Sequence, residues 1–217
     1  EVVRLSADFT RDHARVDVSE GHIVPPTVTH RVHPVAEGRK GELLTHVLMQ
    51  APVGQALVFC KTKRGSNRVG EHLERAGVKA AVIHGNKSQG ARTRALGDFK
   101  AGRVTVLVAT DIAARGLDIA GVSHVINYDV PEKPEDYVHR IGRTGRAHHT
   151  GDAFTLVTEE DVRDARSIER YMGVGVERKK LEGFPYIYSA LFDDKALAET
   201  AAAAAKPASR LHRGIRR

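Results

Sequence analysis

The feature that most constrains this chain is a regular alternation of short apolar runs with amphipathic segments. ALVF from Ala56, AAVI from Ala80, VTVLVA from Val104, HVINY from His124 and AFTLV from Ala153 are each of strand length and mostly apolar on consecutive residues. Such strands are buried on both faces. Between them lie helical stripes, first Val69 and Leu73, then Ala91, Ala95 and Phe99. Doubly covered strands that each lead into a helix make a mostly parallel sheet with right-handed crossovers and helices on both faces, an α/β fold. Ligands of such sheets gather at the carboxyl ends of the strands, so the loops after Phe59, Ile83, Ala109 and Tyr128 are where function should be sought. Upstream, Thr27 to Val35 reads as extended, followed by a helix with Leu43, Leu44, Val47 and Leu48 on one face. Downstream, a helix over roughly Glu159 to Met172 carries Val162, Ala165, Ile168 and Tyr171 on one side and closes the unit.

A chain of 217 residues accommodates one such unit with appendages. The expected division is residues 1–26 as a remnant ending in the stiff pair Pro25 and Pro26, residues 27–172 as the folded domain, and residues 173–217 as an extension. That extension ends KPASRLHRGIRR, cationic and without an acid. It reads equally as a solvated tail or as a non-specific phosphate-binding arm. Across the chain 34 Lys and Arg oppose 27 Asp and Glu, with a pI near 9.7, a balance that favours an anionic partner. Cys60 is the single cysteine, which rules out an internal disulfide and points to a reducing compartment. No apolar stretch approaches the roughly 20 residues that a bilayer span requires, and Glu1 opens no signal-peptide pattern. The expected location is the cytoplasm, with no membrane partner.

Four segments carry chemistry. HRIGRTGR, from His139 to Arg146, follows YDVP (Tyr128 to Pro131) and EDYVHR, and sets Arg143 and Arg146 beside Gly142 and Gly145. Arginines where backbone bulk is low suit a polyphosphate clamp. The alternative is a solvated Arg-rich loop. VATDIAARGLDI, from Val108 to Ile119, places Thr110 at a strand end, where a hydroxyl and nearby amides can meet a phosphate oxygen. Asp118, beyond the Arg115-Gly116 turn, can accept a ribose hydroxyl proton. Thr110 or Asp111 as a helix N-cap is the plainer reading. HGNKSQGARTR, from His84 to Arg94, offers Gly85 for close backbone approach, Ser88 as a helix cap, and Gln89 and Arg92 on one helix face. Arg92 is open between a surface ion pair and a phosphate contact. LVFCKTKRGSNR, from Leu57, puts Thr62 and Lys63 in the loop after the preceding strand.

In order and spacing these four resemble motif IV, the Q-x-x-R element, motif V and motif VI of the DEAD-box ATP-dependent RNA helicases. The resemblance covers about Thr27 to Met172. GNKSQGARTRAL and the later LEGF, from Leu181 to Phe184, look most like the bacterial RhlE branch. The resemblance implies a C-terminal RecA-like domain, with the last part of a first RecA-like domain over Glu1 to about Val18 and a linker after it. It implies that Arg143 and Arg146 contact the ATP γ-phosphate, with Arg146 as arginine finger, that Asp118 binds the ribose, and that Gly116 lies beside the nucleotide. It further implies that Arg115, His139 and Arg140 couple nucleotide to RNA across an interdomain cleft. Thr62, Gly85, Arg92 and Thr110 would hold the RNA sugar-phosphate backbone.

The chain contains no GxxxxGK[ST] loop, Asp-Glu-Ala-Asp box or Ser-Ala-Thr motif, so the groups that cradle the β-phosphate and hold Mg2+ are expected on the first domain. ATP is then shared between two domains, and this part alone is expected not to hydrolyse it. None of the twelve histidines has metal-ligand spacing, adjacent His148 and His149 included, and no bound metal is expected. A DNA helicase of the same superfamily shares the fold, but the joint occurrence of ARGLDI and HRIGRTGR disfavours it. A stand-alone, non-catalytic RNA-binding module is the rival of another class.

Overall fold

The structure is a computed structural model that describes residues 24–50, 54–117, 119, 121–145 and 150–186. Most of the expected first-domain remnant, the Asp118 and Arg146 positions, the His148-His149 pair and the basic tail lie outside the described residues. The elements are β1 (Val28–Pro34), a 3-10 turn (Glu37–Arg39), α1 (Lys40–Gln50), β2 (Ala56–Phe59), α2 (Lys63–Arg75) and β3 (Ala80–Ile83). They continue with α3 (Gln89–Lys100), β4 (Val106–Ala109), the one-turn α4 (Asp111–Ala114), β5 (His124–Asn127), α5 (Pro134–Ile141), β6 (Gly151–Val157), α6 (Val162–Met172) and β7 (Glu177–Arg178).

All seven strands pair in parallel, in the order β3-β4-β2-β5-β6-β1-β7. The apolar runs become strands as expected, and β2, β4 and β5 are buried at every residue. Alternate residues feed two cores. Leu57, Phe59, Leu107, Ala109 and Val125 join Phe99, Tyr137, Ile141 and Ile168 on one face. Ala56, Val58, Val106, Val108 and Ile126 join Leu43, Leu44, Val69 and Leu73 on the other. Helices α1 and α2 therefore cover one face and α3 to α6 the other. The handedness of crossovers accounts for this division. Connections β1 to β2 and β2 to β3 run toward the β3 edge, whereas those from β3 onward to β6 run the opposite way, and a right-handed crossover changes face when its direction reverses. The reversal opens a crevice at the carboxyl ends of β2, β4 and β5, where ligands of open α/β sheets bind.

Three sequence expectations need correction. The last helix buries Ala165, Ile168 and Met172, while Tyr171 is 42% exposed. Each step of three residues falls about 60° short of a full helical turn, so Tyr171 has rotated half a turn from Val162. In α3, Phe99 is buried and Ala95 packs on the core, but Ala91 is exposed, because the first turn overhangs the sheet. The strand expected from Val104 begins at Val106, both Thr105 and Val106 donating their N–H to the Lys79 carbonyl. Past Met172 the chain still packs on the domain. Gly173 closes α6 in the left-handed conformation, with φ +71°, β7 pairs with β1, and Phe184 is buried beneath the Arg39 guanidinium, 4.7 Å from its ring centre.

At the β1–β7 seam His33 is fully buried. Its Nδ1–H donates to the Lys179 carbonyl at 2.7 Å, Nε2 has no partner, and the ring meets Phe154 edge-on. Burial pushes the imidazole down to about 4. Its contribution to stability is therefore complete above the unfolded value near 6.5 and is lost as pH falls toward 4. Urea unfolding should show the His33 share of stability falling by about 2 kcal/mol between pH 7 and pH 5. His33→Gln keeps a donor for Lys179 but does not titrate, and should flatten the pH dependence by about that amount. An equal slope in both proteins would show that His33 does not report the seam.

Candidate functional site

The crevice is organised around Arg140. This residue is only 2% exposed, and four of its N–H groups are satisfied inside the domain. Nε donates to Asp111 Oδ1 at 2.7 Å and Nη2 to Asp111 Oδ2 at 2.8 Å, a bidentate fork. Nη1 donates to Asn127 Oδ1 at 3.2 Å and to the Asp129 carbonyl at 2.7 Å. The guanidinium also lies over the Phe59 ring, 5.1 Å from its centre. One side chain thus ties α5 to α4 and to the ends of β2 and β5. Asn127, itself fully buried, passes the connection to β6 by donating to Thr155 Oγ1. The resemblance implies that Arg140 helps couple nucleotide to RNA across an interdomain cleft. The structure turns it inward, and any influence it has there acts through the groups it positions.

Around this hub a shallow depression collects Arg115, Asp136, His139 and Arg143. Arg115 donates to Asp136, with 59% of its side chain exposed. His139 Nδ1 lies 3.9 Å from the same carboxylate and is largely exposed. The backbone of the Gly142-Arg143-Thr144-Gly145 turn is sewn down from several sides. The Arg143 carbonyl accepts from the Gly121 N–H, the buried Thr144 hydroxyl donates to the Val122 carbonyl, and the Gly145 carbonyl accepts from the Thr27 hydroxyl at 2.6 Å. Gly145 has φ +65°, and a Cβ there would stand 2.5 Å from Val28 Cγ2. Gly116, with φ +74° and open space around it, turns the chain directly after Arg115.

The expected phosphate contacts share the same edge of the sheet. Register sets Phe59 level with Ala109, and Ala109 level with Ile83, so the loops bearing Thr62, Thr110 and Gly85 emerge side by side. Thr62 caps α2, its Oγ1 accepting from the Gly65 N–H at 2.9 Å, which leaves its own O–H free to donate outward. Thr110 precedes α4 as N-cap without a side-chain capping bond and is buried. Ser88 caps α3 by accepting from the Ala91 N–H. Arg92 Nη1 donates to Gln89 Oε1 at 3.2 Å, and its Nε is buried without a partner. Beside Gly85, His84 accepts from the Asn86 N–H at Nδ1, so Nε2 carries the hydrogen that it donates to Asn67 at 3.0 Å. Burial, with Lys87 and Lys63 nearby, lowers its pKa and keeps it in this neutral form.

Several participants escaped the sequence reading. Lys40 is 3% exposed and meets Asp161 at 3.1 Å, with Asp129 and Glu37 each at 3.6 Å. Burial alone would lower its pKa, but Asp161 first, then Asp129 and Glu37, outweigh that and raise it. Asp129 in turn accepts from the Lys61 N–H at 2.8 Å, anchoring the start of the Thr62 loop. Asp129 and Asp136 stand in the YDVP and EDYVHR segments, and that was the available signal. Nothing local marks Lys40. Cys60 is buried, and burial with Asp129 nearby pushes its thiol up, which leaves it unreactive. Among the described residues no three His, Cys, Asp or Glu side chains are placed to hold a metal, and no helix is long and apolar enough to cross a membrane.

The helicase conserved C-terminal domain family matches residues 39–148. The chain is 44% identical over 178 residues to the DEAD-box ATP-dependent RNA helicase CshA of Geobacillus kaustophilus, covering 82% of this chain and 38% of that protein. It is 37% identical over 178 residues to the ATP-dependent RNA helicase DbpA of Bacillus subtilis, covering 82% and 37%. It thus spans well under half the length of these curated relatives. Among solved structures, the E. coli DEAD-box protein SrmB bound to regulator of ribonuclease activity A superposes with a TM-score of 0.68 at 34% identity, over 74% of this chain and 98% of that one. S. cerevisiae Dbp5 bound to RNA and ADP BeF3 gives 0.73 at 25% identity, over 93% and 52%. These relatives set the family without singling out the RhlE branch.

Removing one partner from a buried, hydrogen-bonded ion pair costs about 3–5 kcal/mol, whereas an exposed pair is worth less than about 1 kcal/mol. Arg140→Ala should therefore lower urea-unfolding stability by about 3 kcal/mol or more. Arg140→Lys, which cannot form the fork, should recover only part of it. Arg115→Ala should change stability by less than about 1 kcal/mol. Equal effects at Arg140 and Arg115 would contradict the hub.

Proposed function

The chain belongs to the helicase conserved C-terminal domain family as the C-terminal domain of a DEAD-box RNA helicase, and from that we propose that it closes on ATP and RNA against a first RecA-like domain. The observation that carries the reading is the cluster of Arg115, His139 and Arg143 held at the crevice mouth by the buried Arg140–Asp111 fork. Guanidinium groups such as those of Arg115 and Arg143, fixed to a rigid base, stabilise charge that spreads over a transferring phosphoryl group without reorganising. In this reading Arg143 and Arg146 meet the γ-phosphate, with Arg146 as the arginine finger. Gly116 lies against the nucleotide and Asp118 accepts from the ribose. Arg115 and His139 line the domain interface, and Arg140 acts through Asp111 and the ends of β2 and β5.

Arg115 and Arg143 give the depression positive charge for an anionic nucleotide, and bound ATP would supply the phosphoryl group that is transferred once the two domains have closed on it. Among the described residues no three His, Cys, Asp or Glu side chains are placed to hold Mg2+, and the metal would sit on the first domain. The RNA backbone runs along Thr62, Gly85, Thr110 and Arg92. The Thr62 hydroxyl has a hydrogen free to donate, and the Arg92 guanidinium, held by Gln89, supplies positive charge beside it. Buried Cys60 fits a reducing, cytoplasmic setting.

This chain alone should show no RNA-stimulated ATP hydrolysis, measured as phosphate release, whereas a protein that joins it to its first domain should turn over. In that two-domain enzyme Arg146→Ala should lower kcat by roughly 10³-fold or more, with ATP affinity falling much less. Turnover by the chain alone would refute the partition of roles. Arg92→Ala in the same enzyme should weaken binding of unrelated single strands about equally, and should reduce the slope of log K against log salt by about 0.7. A loss confined to one sequence would make Arg92 a base reader instead.

A further inference from the structure

The outer face of α6 carries chemistry that nucleotide and RNA binding do not use. Arg163, Arg166 and Arg170 stand at i, i+3 and i+7 on this helix, all exposed, and form a row about 10 Å long. Among the described residues none of the three has an ion-pair or hydrogen-bond partner. Beside the row runs a groove of about 880 Å³ with Val162 and Val174 in its wall, Val174 being 50% exposed. Glu169, which also borders it, is already neutralised, since it accepts from Arg178 at 3.0 and 3.2 Å and from the Val176 N–H at 2.9 Å. What remains is an apolar wall beside a positive rim, with Glu159 and Glu160 at one end.

We propose that this face docks an acidic protein segment anchored by apolar side chains. A partner helix lays residues at i, i+3 and i+7 against Val162 and Val174, while carboxylates on its flank pair with the arginine row. A protein partner fits better than an RNA strand because Val162 and Val174 offer methyl groups where a base needs a stacking ring. The helix also leaves the sheet after the carboxyl end of β6 and runs back toward the amino ends of the strands, so the row leads away from the crevice. The docking face is therefore independent of the nucleotide site.

The test uses the whole chain and three fluorescent probes in anisotropy titrations. The first is a synthetic amphipathic helix with Leu at i, i+3 and i+7 and Glu along one flank. The second is the same helix with Lys for Glu, and the third is a single-stranded oligouridylate. The acidic helix should bind and the Lys version should not. Arg166→Glu and Arg170→Glu should each weaken it by about tenfold or more, as expected for a lost charge-assisted hydrogen bond. Val174→Asp should weaken it similarly, and Arg166→Lys much less than Arg166→Glu. Unchanged melting temperatures of these surface variants will show that the domain is folded. Failure of the acidic helix to bind, or equal binding by every variant, overturns the proposal. So does the opposite pattern, in which Arg166→Glu weakens oligouridylate and leaves the helix indifferent, which would make the row a phosphate track.

Discussion

The carboxyl edge of this domain depends on one buried charge. A guanidinium taken out of water costs several kcal/mol unless its geometry and hydrogen bonding are nearly complete, and Arg140 meets that demand with the Asp111 carboxylate, the Asn127 amide and the Asp129 carbonyl. None of these partners can shift far without stranding the charge. The loops after β4 and β5 are therefore held in one arrangement, and the exposed groups nearby inherit it. His139 precedes Arg140 on α5, Arg143 follows it past the Gly142 cap, and Arg115 leans on Asp136 from the same helix. Long side chains at a surface are normally mobile. Here their backbones are fixed by a side chain that never reaches the surface.

A second polar cluster repeats the logic across the crevice. The two faces of the sheet are covered by helices that depart in opposite directions, so the opening between them has no helix of its own to brace it. Lys40, at the start of α1, bridges from one side to Asp129 after β5 and to Asp161 before α6. Asp129 holds the Lys61 amide while its own carbonyl receives Arg140. The two buried cations thus share one residue, and the loop bearing Thr62 is coupled to the loop bearing Asp111 through it.

The outer face of α6 stands apart from this network. Its inner side, through Ala165, Ile168 and Met172, belongs to the same core as Tyr137 and Ile141, but its arginines touch none of the groups at the crevice. Separate edges of one small domain can therefore carry separate tasks, since the rigid sheet between them needs no adjustment for either to be occupied.

The α/β class, the parallel strands and the motif order were legible in the sequence, because doubly buried strands and cap residues are local signals. The cap at Ser88 and the shared face of Gln89 and Arg92 follow directly from spacing. The two-faced core followed as well, although Tyr171 shows that a stripe counted in threes drifts off the buried face. Only the tertiary structure decided which polar groups face inward. Arg140 and Arg143 lie three residues apart in one motif, yet the first is a buried strut and the second lines the surface depression. Lys40 carries no motif at all and is held by carboxylates roughly 90 and 120 residues away along the chain. Burial of a charge depends on partners that folding brings from distant segments, and spacing along the chain does not encode that distance.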